Sequence, residues 1–99
     1  MDKKALLERI SATIYLKDGS SFSGQLDLST NKFDFHNLRF LHVSSNLKIR
    51  NVNDDGSVTI IYIFESDYLP RVFNLKENEP IRIKDYLGME PIRIELIID

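Results

Sequence analysis

Asp34, His36 and His42 are the residues whose types come nearest to doing chemistry. An imidazole beside a carboxylate can hold a metal or carry a proton. All three have even numbers, so a continuous strand would place them on one face. Distance works against a shared ion. At ~3.3 Å per residue the two histidines lie roughly 20 Å apart, against about 4 Å between two ligands of one zinc. A sharp bend near Asn37 is the only escape, although Asp34 and His36 can still pair with each other. These histidines are therefore expected at the surface or in an interface, without a metal.

Other reactive patterns are weaker still. Ser20, Ser21, Ser44 and Ser45 fall in turns, and no Gly-x-Ser-x-Gly elbow surrounds them. The four glycines are isolated and form no phosphate-cradling loop. There is no cysteine, hence no thiolate and no disulfide framework. No carboxylate is read as lying in the apolar surroundings that would suit acid catalysis. The expectation is a non-catalytic protein without cofactor.

A second pattern interleaves cations with aromatics: Lys32, Phe33, Phe35, Arg39, Phe40, Lys48 and Arg50. Bases stacking on exposed rings beside cations is the chemistry of single-strand nucleic-acid binding, with Lys32, Arg39, Lys48 and Arg50 as the contacts. The competing reading makes the three phenylalanines core and turns the cations outward. Net charge favours the second reading: the chain carries −2, and phosphate attraction dominates nucleic-acid binding. That charge is unevenly spread. Residues 1–50 hold eight basic and five acidic side chains, residues 51–99 five basic and ten acidic, so the halves can attract each other.

The elements that must position these residues are mostly strands. Ser57–Phe64 is β-branched or aromatic at nearly every position, with Val58, Ile60, Tyr62 and Phe64 on one face and Thr59, Ile61 and Ile63 on the other. Two apolar faces predict a central strand covered on both sides. Asp2–Ile10 is the one helix expected, capped by Asp2 and striped by Leu6, Leu7 and Ile10. Strands follow at Ala12–Lys17 and, beyond the Asp18-Gly19 hairpin, through Phe22, Gly24, Leu26 and Leu28. Gly24 inside that strand predicts a bulge or sharp bend. Further strands are expected at Phe33–Phe35, Leu38–Val43, Leu47–Val52 and Arg71–Leu75.

One motif repeats: Glu79-Pro80-Ile81-Arg82-Ile83 returns as Glu90-Pro91-Ile92-Arg93-Ile94. Each copy starts a strand with proline, joined by a helical turn over residues 85–89. The last strand, Ile92–Ile98, is apolar almost to its end, a hazard as a bare edge. It is expected to pair inside the sheet or, preferably, across a subunit interface.

The opening residues resemble a family. A short amphipathic helix precedes Ile14-Tyr15-Leu16-Lys17-Asp18-Gly19 and Phe22-Ser23-Gly24-Gln25-Leu26, which is similar to the first motif of Sm-like proteins. Ile49-Arg50-Asn51 is similar to their second motif. The resemblance implies a strongly bent five-stranded barrel, ring oligomers and RNA held near Asn31 and Arg50. The chain departs from the pattern after Leu26 and lacks the glycine after Arg50, and the residues beyond Phe64 have no counterpart.

The fold expected is thus mainly β: residues 1–99 as one domain, a small barrel or strongly bent antiparallel sheet with an N-terminal helix. The first functional expectation is a cytoplasmic protein-binding or assembly module, homo-oligomeric through strand edges. Ile92, Ile94, Leu96 and Ile98 would form its interface, and Arg82 and Arg93 would set register. An Sm-like barrel binding single-stranded RNA is the alternative. A membrane span is not expected, since no run approaches the ~18 apolar residues it requires.

Overall fold

Alternation of inward apolar and outward polar residues builds most of this molecule. The computed structural model describes residues 2–99. It is mainly β, a nearly closed antiparallel barrel with a short N-terminal helix. Helix α1 (Lys3–Glu8) is capped as expected, the Asp2 carboxylate accepting from the Lys4 and Ala5 amides at 3.1 and 3.3 Å. Leu6 is its buried residue.

Eight strands follow: β1 (Ile10–Leu16), β2 (Ser21–Asp27), β3 (Lys32–Asp34), β4 (Leu47–Val52), β5 (Val58–Ile63), β6 (Pro70–Leu75), β7 (Ile81–Leu87) and β8 (Glu90–Ile98). They form one sheet in the order β6-β5-β4-β3-β2-β1-β8-β7. Ala12, Ile14 and Leu16 point inward with Ile92, Ile94, Leu96 and Ile98, and meet Val58, Ile60 and Tyr62 in a single core. The hairpins use an Asx device three times. Asp18, Asp27 and Asp55 each accept from the amide and hydroxyl of the serine two residues on, at 2.5 to 2.9 Å. These hydrogen bonds stabilise the ionised carboxylates and lower all three pKa values.

Several expectations need correction. Leu38–Val43 is not a strand but a 3₁₀ turn, Leu38–Phe40, running into helix α2 (Leu41–Asn46). His36 adopts a positive φ of 52°, and Asn37 then caps the turn by accepting from the Arg39 amide. Phe40, Val43 and Leu47 are buried together at helical spacing, a stripe that outweighs the short alternation. Residues 85–89 form no helical turn: β7 continues to Leu87, and Gly88 (φ 61°) and Met89 make a tight hairpin turn. Through that hairpin the repeated motif pairs with itself, Ile83 opposite Ile94.

β5 is second from one end of the sheet, not central. Its Val58–Phe64 face is buried, whereas Thr59, Ile61 and Ile63 are only half covered. Gly24 carries no bulge, since β1 and β2 stay in register through Ala12 and Gly24. At that point β2 passes from pairing with β1 to pairing with β3. A Cβ on Gly24 would lie 2.8 Å from the Phe35 ring, so the glycine admits an aromatic ring at a corner. The barrel also has eight strands where the Sm-like resemblance implies five.

Candidate interaction surfaces

The barrel does not close through its backbone. β6 and β7 end the sheet order and leave a seam between them. At one end their connecting turn is pinned by a bridge between Lys76 and Glu79. At the other, Asp85 closes the seam. Its position on β7 has inward parity with Ile81 and Ile83, and its side chain is only 2% exposed. The carboxylate accepts from the Tyr62 hydroxyl at 2.5 Å and from the Glu65 and Ser66 amides at 2.9 and 3.2 Å.

This carboxylate corrects the expectation that no acid lies in apolar surroundings. Burial works to raise the Asp85 pKa, but the Tyr62 hydroxyl and the Glu65, Tyr86 and Ser66 amides outweigh it, so the group stays below its ordinary value. Burial first, and then the bonded carboxylate, push the Tyr62 phenol well above its usual range. Asp85 is thus a charged latch tying β7 to the end of β5. Its signal in the sequence was a lone acid at an inward position of an alternating strand.

The two flanks of the seam differ. The outward positions of β6 are Pro70, Val72 and Asn74, and Val72 is 56% exposed. Beside it, β5 presents half-buried Ile61 opposite Val72 and Ile63 opposite Pro70. Exposed Tyr68 and Leu69 continue that apolar surface into the β5–β6 connection. β7 instead carries Arg82, Lys84 and Tyr86 outward.

The residues singled out in the sequence separate into several places. β8 pairs with β1 on one side and β7 on the other, so neither of its edges is open. Ile92, Ile94, Leu96 and Ile98 are all buried in the chain's own core and are not an exposed interface. Arg82 bonds Glu95 at 3.0 Å within the hairpin, and the Arg93 guanidinium lies 4.6 Å from the Tyr15 ring centroid. Lys32 and Lys48 come together as cross-strand partners, and Arg50 follows at an irregularity in β4. Arg39 is elsewhere, in an ion pair with Glu90. Phe33, Phe35 and Phe40 are buried, so these rings cannot stack bases.

The histidines have local partners. Nδ1 of His36 lies 3.3 Å from the Asp34 carboxylate, and Nε2 lies 3.1 Å from the Gln25 side-chain oxygen. His42 Nε2 donates to the Ile63 carbonyl at 2.9 Å while Nδ1 accepts from Asn46. Among the described residues no group of three or more His, Cys, Asp or Glu could hold a metal ion. No helix among them is long and apolar enough to cross a membrane.

Comparison of the chain with protein-family models, curated proteins and solved structures finds no match in any of the three. The Sm-like resemblance therefore stands on its motifs alone, beside a barrel that is compatible with it at the level of fold class.

Proposed function

We propose that this chain is a non-catalytic assembly module that pairs with a second copy of itself through the β6 edge and the apolar surface beside it. One observation carries the reading: β6 ends the sheet with Pro70, Val72 and Asn74 outward and no charged side chain on that face. Protein edges are ordinarily protected by charge, a bulge or a covering element. β7 carries Arg82 and Lys84 outward. On β6 the blunting groups are confined to Pro70 and to Arg71, whose guanidinium is held by Asp67 over the Phe64 ring, so Val72 and Asn74 keep an uncharged outward face. A second copy laid across Val72, Ile61, Ile63 and Leu69 would remove apolar area from water and satisfy the free edge, the two contributions that drive strand addition.

Sedimentation over a concentration series tests this. The wild-type chain is expected to shift from monomer to a larger species, and Val72→Lys to remain monomeric with an unchanged circular-dichroism spectrum. A wild type that stays monomeric into the millimolar range, or a Val72→Lys variant that associates equally well, overturns the proposal. RNA binding has less support, because the rings it would use are buried.

A further inference from the structure

We propose that the outward face of β7, β8 and the end of β1 binds a nucleoside phosphate. A groove of about 420 Å³ lies there, lined by Tyr15, Lys17, Lys84, Tyr86 and Arg93 among others. Asp85 is also in the lining, its carboxylate taken up by the Tyr62 hydroxyl and the Glu65 and Ser66 amides. That volume suits one small ligand, and rings with a few convergent charges are the usual lining of such sites.

Charge is the first argument. Lys84 and Arg93 face each other directly across β7 and β8. Like charges in that position destabilise an antiparallel pair. One pair further along the same hairpin, Arg82 meets Glu95 and bonds it. The hairpin therefore neutralises one cation and leaves the next two side by side. Among the described residues, none of Lys17, Lys84 and Arg93 forms an ion pair with a carboxylate. An anion held between them would relieve the repulsion and gain charge-assisted hydrogen bonds.

The aromatic residues narrow the ligand class. Arg93 already lies over the Tyr15 ring, which orients its guanidinium. Tyr86 is 51% exposed and opposite Pro91 on the free-edge strand. A planar base resting on Tyr86 and Pro91 would place its phosphate among the three cations. The acidic balance of the chain disfavours a long polyanion, so a free nucleotide is the ligand to which the site is assigned. This site is separate from the β6 surface and does not depend on self-association.

The test is an amide NMR titration with three probes: adenosine monophosphate, inorganic phosphate and a tetra-adenylate strand. Adenosine monophosphate is expected to give saturable shifts confined to β1, β7 and β8, at least tenfold tighter than phosphate. Lys84→Glu places an acid opposite Arg93, so this variant should melt at a higher temperature than wild type. It should also bind adenosine monophosphate at least tenfold more weakly, which separates lost binding from lost folding. Tyr86→Ala should abolish the advantage of the nucleotide over phosphate. Absence of saturable shifts, equal affinity for phosphate, or a Lys84→Glu variant that binds like wild type would each overturn the site. Tighter binding of the tetra-adenylate would overturn its assignment to a free nucleotide.

Discussion

The two flanks of the seam are built from the same kind of element and are prepared for opposite surroundings. β6 and β7 are both terminal strands of one sheet, joined by a short turn. β6 turns Val72 outward beside Ile61, and β7 turns Arg82, Lys84 and Tyr86 outward. Water solvates the second flank well and the first poorly. An edge strand's unsatisfied backbone is common to both, so the outward side chains decide what each flank accepts. The contrast shows that strand position alone does not define an interface. Edge and solvent-averse surface coincide at β6, while at β7 the edge coincides with outward charge.

Breaking the latch between the flanks should have the largest effect. Asp85→Ala strands the Tyr62 hydroxyl and two amides in a water-poor site, a loss of about 3 kcal/mol or more in urea denaturation. Acid should loosen the same seam without a mutation. The folded-state pKa of Asp85 lies below the 3.8 ordinary for an aspartate, so its contribution is fully present well above 3.8. The contribution is lost as pH falls through 3.8 towards the folded-state value. Asp85→Asn should be less stable near neutrality and show a shallower acid limb in a pH series of melting curves.

Gly24→Ala probes the barrel wall away from both flanks. Its methyl group would crowd the Phe35 ring, and a cost of about 1–3 kcal/mol is expected in denaturant unfolding with the association behaviour unchanged. On the β7 flank, Lys84→Glu should raise stability by about 0.2–1 kcal/mol by replacing repulsion with attraction opposite Arg93. The smallest change in stability is expected on the β6 flank. Val72→Lys should stay within about 0.5 kcal/mol of wild type, because the side chain is already largely in water. If that substitution costs several kcal/mol instead, Val72 belongs to the fold and the contrast between the flanks fails.

Much of the barrel was legible because its rules are local. The Asp2 cap, the Asp18-Gly19 hairpin and the bounds of Leu47–Val52 each depend on residues close in the chain. Leu38–Val43 reads as a strand because Leu38, Phe40 and His42 alternate over a short span, whereas the burial of Phe40, Val43 and Leu47 together requires a helix. The groove is not legible in the sequence for a different reason. Tyr15, Lys84 and Arg93 lie on three strands, and their adjacency depends on the register β1 and β7 each make with β8.

By itself the sequence determined which segments extend, where most of them turn and which side of each strand is apolar, because side-chain parity and turn chemistry act over a few residues. Only the tertiary structure decided that β8 lies between β1 and β7, which makes its isoleucines core. The same long-range pairing left one edge each of β6 and β7 free and carried Asp85 to the Tyr62 hydroxyl. Those outcomes depend on which strands share backbone hydrogen bonds. Nearly all strand faces here are apolar, so alternation is compatible with many neighbours, and packing around one common core selects among them.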